Sequence, residues 1–357
     1  MNETRSRRAW CVSRLVVLGL CLADGLAWGG ETAAGEGQAA RIAALCKELG
    51  QGQFGSQSAC EQLIAIGAPA VPALLEALND RRPPARWWAV AALCNIAADD
   101  AYPAVLKVLE SDPDPLVRST AVYYLRHYRN KGKKDIWPVV AKALGDKDPE
   151  VGRWALRLMV EDGYPELDKV LRDVLAGGPT ELRSYALSHI RDLGDKGKAY
   201  MPLVRKLLAA EDPRLRYDVV FTVVSLMDSG QMEFLRETFR KDPDPAVKEC
   251  ALRCITVVPE PPVDCFELYV EGMRSEDEKV RDVAFKLLVK GFKHYIGFDA
   301  KGPLPMREAA IAKWREWFAQ NRAKLEWHPD LRKFLLQGTR PKPSEKAKGG
   351  SKGRADD

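Results

Sequence analysis

The chain has 357 residues, is 46% hydrophobic and 29% charged, and carries a formal net charge of +5. That length and apolar content suffice for a sizeable core, which excludes a disordered chain and a disulfide-stapled miniprotein. The excess charge sits at the ends, +2 in residues 1–30 and +3 in 338–357, so residues 31–337 sum to zero; a neutral body argues against a nucleic-acid scaffold, which shows a basic face.

Arg5, Arg7, Arg8 and Arg14 precede the apolar run from Leu15 to Ala23. A basic start followed by a short apolar run predicts a signal peptide over 1–34, cleaved after Ala27 or Ala34, and hence a protein exported to the periplasm or cell envelope. The run is too short to span a bilayer, so no transmembrane span is expected once the signal is removed. Leu20 is too bulky to precede a lipidated Cys21. Residues 35–66 hold two apolar stretches, around Ile42-Ala-Ala-Leu45 and Leu63-Ile-Ala-Ile66, and are expected to form N-terminal capping helices.

From residue 67 the chain repeats itself. Asp112-Pro-Asp-Pro-Leu-Val-Arg118 returns as Asp242-Pro-Asp-Pro-Ala-Val-Lys248. A small residue recurs three positions after the basic one, at Ala89, Ala121, Ala155, Ala186, Val219, Ala251 and Ala284, with spacings of 32, 34, 31, 33, 32 and 33. Three residues before each lies Arg86, Arg118, Gly152, Arg183, Arg216, Lys248 or Arg281. Seven before lies a third column, Asp114, Asp148, Asp212, Asp244 and Asp277, followed by proline at all but the last. Asp-Pro is a helix start: the carboxylate caps, and proline suits the first turn, where its missing N–H costs nothing. Each unit holds a short apolar helix, such as Pro72–Leu78 or Pro138–Leu144, then a second helix with apolar residues one and four after the reference position. No period-two strands are expected.

Helix pairs of this length bury their faces only by stacking. The fold class expected is all-α, a right-handed α-solenoid of about seven to eight helix pairs over 67–292 with a C-terminal capping helix. The pattern of two helices, an Asp-Pro-x-Val-Arg turn and an alanine three after the arginine resembles HEAT repeats, in particular the short HEAT-like type also found in phycobilin lyases. The resemblance covers roughly residues 42–292. It implies a fold and leaves function open.

Residues 293–337 differ. Met306–Asn321 is an amphipathic helix with Ala310, Trp314, Trp317 and Phe318 at helical intervals, followed by Leu325-Glu-Trp327 and Leu331-Arg-Lys-Phe334. The segment resembles a tail found after HEAT repeats in exported bacterial proteins, and is expected to cover the last apolar face. Residues 338–357 are a Lys/Gly/Pro/Ser-rich tail of disordered composition.

No catalytic constellation is apparent. The four histidines precede Tyr128, Ile190, Tyr295 and Pro329, which rules out the repeated His-Glu pairs of a HEAT-like di-iron hydroxylase. Neither a phosphate loop nor a nucleophile elbow is present. No cofactor and no metal are expected; Cys250 and Cys254 lie one turn apart without a histidine cluster and read as buried hydrophobes. Cys46–Cys60 is the pair to test for a disulfide in an exported chain.

The basic column lies about 60° round the helix from the reference position, within the core-facing arc. Arg86, Arg118, Arg183, Arg216, Lys248 and Arg281, with Asp114, Asp148, Asp212, Asp244 and Asp277, are therefore expected to form a structural ladder, each stem packed and each head on the Asp-Pro turns of its own and neighbouring repeats. The opposite stripe carries the candidate partner-binding residues Trp87, Tyr123, Arg153, Arg157, Tyr217, Phe221 and Arg253, on a face expected to be concave. The function expected is a non-enzymatic, monomeric exported scaffold binding a protein or peptide. The alternatives are a HEAT-like lyase or cofactor-loading protein acting on another protein, which an export signal disfavours, and a nucleic-acid binder working through the tail.

Overall fold

The structure is a computed structural model that describes residues 31–339. The apolar run read as a signal and the basic run from Arg340 lie outside the described residues. Eight helix pairs follow one another among those described: α1 (Glu31–Glu48) with α2 (Gln53–Ile66), α3 (Val71–Ala77) with α4 (Pro83–Ile96), α5 (Tyr102–Ser111) with α6 (Pro115–Tyr124) and its continuation α7 (Arg126–Asn130), and α8 (Trp137–Ala143) with α9 (Pro149–Glu161). The second half comprises α10 (Leu167–Gly177) with α11 (Thr180–Asp192), α12 (Met201–Lys206) with α13 (Pro213–Leu226), α14 (Gln231–Lys241) with α15 (Pro245–Cys254), and α16 (Cys265–Met273) with α17 (Glu278–Phe292). The predicted signal boundary at 34 falls inside α1. No single helix among the described residues is long and apolar enough to cross a membrane.

Five second helices start on the capping aspartates. Asp114, Asp148, Asp212 and Asp244 each accept the N–H two residues on, at 2.8–2.9 Å, and Asp277 accepts that of Val280 at 3.0 Å. These carboxylates satisfy orphan donors of the first turn. They are not the partners of the arginine column, which corrects the expected ladder. The guanidiniums reach a different acid, two residues before the cap of the following repeat. Arg86 Nε and Nη2 donate to Asp112 at 2.7 and 2.8 Å, Arg118 to Asp146 at 2.9 and 2.7 Å, and Arg216 to Asp242 at 2.8 and 3.0 Å. In each case Nη1 turns back to a carbonyl of its own repeat, Asp80, Asp112 or Ala210. In Asp-x-Asp, then, the first carboxylate clasps the preceding repeat and the second starts the helix. The first also accepts the N–H of the second, at 2.8–2.9 Å.

The clasp is absent over two successive junctions. At Gly152 an added Cβ would lie 2.8 Å from the Leu144 carbonyl and 3.3 Å from the Leu182 methyls, so the close approach of α9 to its neighbours excludes a side chain there. Arg183 lacks an acid in the following repeat, where Ala210 holds the position; its Nη2 donates to the Ala176 carbonyl at 3.2 Å and its Nε is buried without a partner. In the repeat after Lys248 it is Ser275 that holds the position of the acid, and the Lys248 ammonium lies 5.9 Å from the centre of the Phe239 ring. Ala210→Asp is expected to supply Arg183 with the missing carboxylate and to raise stability by about 0.5–2 kcal/mol, read as a higher urea midpoint. An unchanged or lowered midpoint would show that Arg183 does not reach that slot.

The buried apolar side chains form two contiguous cores that meet at α9: Ala155, Leu158 and Met159 belong to the first, Leu156 to the second, and Leu144, Leu167 and Val170 pack on both. The second core runs into the C-terminal segment. Arg281 donates Nε to the Ala300 carbonyl at 2.8 Å, so the irregular stretch after α17 supplies the acceptor that a following repeat would otherwise provide. Helix α18 (Leu304–Asn321) buries Ile311, Trp314 and Phe318, and Trp314 Nε1 donates to the Ile296 carbonyl at 3.0 Å. Contrary to the expected absence of strands, β1 (Leu325–His328) and β2 (Lys333–Leu336) form an antiparallel hairpin. Its residues lack a long alternating run; tertiary contacts hold it, with Phe334 buried and Trp327 Nε1 donating to the Pro259 carbonyl at 2.9 Å. All six cysteines among the described residues are free. Cys60 points its thiol at the Trp88 carbonyl, 3.8 Å away, rather than at Cys46.

Candidate binding face of the second-helix layer

Consecutive second helices pack on one another along the whole row, while consecutive first helices touch far less. The second helices α2, α4, α6, α9, α11, α13, α15 and α17 therefore form one continuous layer, with the first helices on its other side. Its free surface is the stripe opposite the first helices.

The centre of that stripe is an arginine–aromatic cluster spanning α6 to α9. The Tyr123 and Trp154 rings meet edge to face with centroids 5.1 Å apart. Arg126 lies 4.4 Å over the Tyr123 ring and donates to its hydroxyl at 2.9 Å. Arg157 lies 4.9 Å from the Trp154 ring and 5.6 Å from that of Tyr123. Such stacking is worth about 0.5–2 kcal/mol per pair, most where water is excluded. Carboxylates frame the cations. Arg126 Nη2 donates to Glu161 and Asp162 at 2.9 and 2.7 Å, and Arg157 Nε donates to Glu161 at 2.6 Å. Arg153 forks onto Glu150, which also accepts Trp154 Nε1 at 3.1 Å. Arg126 Nε and Asp162 Oδ2 are buried without a hydrogen bond.

Burial works to raise the Glu150 and Glu161 carboxyls, but the guanidinium bonds outweigh it and hold both below their ordinary values. Both carboxylates therefore stay ionised at neutral pH. His127 is pushed down to about 4 by burial and by Arg126 and Lys131, so it is neutral, and it stacks on Tyr124 at 5.6 Å. His189 is lowered by burial, with Asp192 opposing. Among the described residues no three His, Cys, Asp or Glu side chains converge as metal ligands.

The residues singled out in sequence fall in different settings. Trp87 is half-buried, edge-on to Trp88 at 4.3 Å. Tyr123, Arg153 and Arg157 belong to the central cluster, and the two arginines, expected as anchors for a partner, are already held by Glu150 and Glu161. Tyr217 is half-buried at a shallow groove between α13 and α15, beside Arg214, Asp218 and Asp244. Phe221 is half-buried under Arg191, whose guanidinium lies 4.9 Å from its ring. Arg253 is exposed and makes a single 3.4 Å bond to Glu249. Sequence reasoning overlooked Trp154. It occupies the position just before the reference residue, about 260° round the wheel and next to the stripe, so the spacing contained the signal.

Residues 38–126 and 103–188 match the family model described as HEAT repeats. No curated protein matches the chain. Among solved structures, human deoxyhypusine hydroxylase in complex with glycerol aligns with TM-score 0.31 and 16% identity, covering 72% of this chain and 97% of that one. The complex of CpcE and CpcF of phycocyanin lyase from Nostoc sp. PCC7120 aligns with TM-score 0.26 and 19% identity, covering 52% of this chain and 99% of that one.

Proposed function

The chain is a HEAT-repeat protein, and from that premise we propose that it is a non-enzymatic scaffold whose second-helix layer binds a protein or peptide. The observation that carries this reading is the row of half-exposed aromatic rings on that layer, Trp87, Tyr123, Tyr217 and Phe221, interleaved with guanidiniums. Tyr, Trp and Arg are the side chains that dominate protein interfaces, because each offers a large stiff surface with a polar tip. The Arg–carboxylate frame holds the central rings in place before any partner arrives, which lowers the ordering cost of binding. Export is part of the proposal, supported by the basic start and the apolar run at 15–23.

The test is capture of partners from an envelope extract of the source cell by the wild type and by Tyr123→Ala/Phe221→Ala. A protein retained by the wild type and weakened by about 30-fold or more in the double variant, at unchanged helicity, is expected. Equal capture by both forms would remove this face from consideration.

A further inference from the structure

The neutral sum of the body hides a polarised one. Residues 31–277 carry 32 Lys/Arg against 38 Asp/Glu, while residues 278–339 carry 13 against 7. The excess converges at the end of the solenoid. The rings of Phe292 and Phe334 stack with centroids 4.9 Å apart, at 14° between planes, which brings their neighbours Lys293 and Lys333 side by side. Lys290 lies one helical turn earlier on α17. None of these three ammoniums has a carboxylate within ion-pair distance among the described residues, although Lys286 on the same helix pairs with Asp282 at 2.5 Å. Burial, Lys293 and Lys290 together push the Lys333 ammonium down. Cations are favoured at a helix C-terminus, and this accounts for Lys290 and Lys293. It does not account for Lys333, which comes from the hairpin and adds repulsion that a bound anion would relieve.

We propose that this cap is a docking face for an anionic phospholipid surface, with Lys290, Lys293 and Lys333 taking the headgroup phosphates. Three of the five large apolar side chains left exposed among the described residues belong to the same cap: Tyr295 at 70%, Leu304 at 59% and Met306 at 70%. Aromatic and apolar side chains beside lysines suit the headgroup region of a bilayer, where rings and ammoniums both find partners. A nucleic acid fits less well. It would run along the second-helix layer past Glu161, Asp192, Asp218 and Glu249, whereas the basic face is confined to one end.

The test is co-sedimentation of the full chain with vesicles of phosphatidylcholine alone and with one third phosphatidylglycerol. Binding is expected only to the anionic vesicles and should weaken steeply with salt. Lys290→Gln/Lys293→Gln/Lys333→Gln is expected to lower partitioning by about 100-fold at unchanged melting temperature, given a contribution of about 1 kcal/mol per lysine. Lys342→Gln/Lys346→Gln/Lys348→Gln, outside the proposed face, should leave clear binding. The proposal is overturned if the wild type ignores the anionic vesicles, if the body variant binds like the wild type, if the tail variant loses all binding, or if duplex DNA at equal phosphate concentration competes the protein off the vesicles.

Discussion

Arg118→Ala is expected to destabilise the solenoid by about 3–5 kcal/mol, the usual loss when one partner of a buried ion pair is removed. Arg118 is 1% exposed, forks onto Asp146 and donates to the Asp112 carbonyl at 2.8 Å. Its removal strands two acceptors at the junction of two repeats, so the loss falls on the interface term that links them. The pH dependence has a definite sign. Burial raises the Asp146 and Asp242 carboxyls, but the bonds from Arg118 and Arg216 and from the following N–H outweigh it, so both are lowered on folding. A carboxyl lowered on folding contributes stability that is present above its unfolded value, about 3.9, and is lost as pH falls through the lower folded one. Urea titrations at neutral pH and below pH 4 should therefore show a large difference between wild type and variant that shrinks in acid. Arg118→Met combined with Asp146→Leu should recover most of the loss at neutral pH, because a packed apolar pair needs no counter-charge. Failure to recover would assign the cost to shape rather than to a stranded charge.

Trp314→Ala is expected to cost about 3–5 kcal/mol and to release the C-terminal cap. The indole is fully buried, hydrogen-bonds Ile296 and lies edge-on to His294 and Trp317. Beneath it Phe266 and Phe318 stack at 4.0 Å, and Phe292 joins them to the hairpin. Losing the indole would open the last apolar face, and hydrogen exchange should rise over residues 278–336. Exchange in α4 and α6 should stay unchanged, since distant repeats couple only through their neighbours. Trp314→Phe keeps most of the packing and loses the N–H, so it should cost about 1–3 kcal/mol. Uniform destabilisation along the chain by Trp314→Ala would contradict the nearest-neighbour picture.

Much of the fold was legible because the relevant physics is local. Asp-Pro starts a helix wherever it stands, and the small residue seven positions after the capping aspartate recurs wherever one second helix leans on the next. The apolar positions one and four after it, such as Leu156 and Met159, are buried as their spacing requires. The ladder was legible only in part. The arginine column announced itself, but its acid lies in the next repeat, 26 to 28 residues away, at a position shared by Asp112, Asp146 and Asp242 and lost at Ala210 and Ser275. Pairing across repeats is a fact about stacking, and only the capping acids are tied to their helices by sequence distance.

The candidate face shows the same division. Helical spacing alone assigned Tyr123 and Arg157 to the stripe away from the core. It did not reveal that Arg157 spends its charge on Glu161, or that Trp154 lies against Tyr123, since both depend on how far each helix is rotated against the next. The hairpin and the lysine convergence belong wholly to tertiary structure: residues 325–336 lack a strand pattern, and Lys333 meets Lys293 only because Phe334 stacks on Phe292. The sequence by itself determined the period, the helix starts and the buried stripe, since each is set within a turn or two of backbone. Which charges cancel, which rings face the groove and where positive charge accumulates were decided by packing between repeats, where side chains far apart in the chain are forced together.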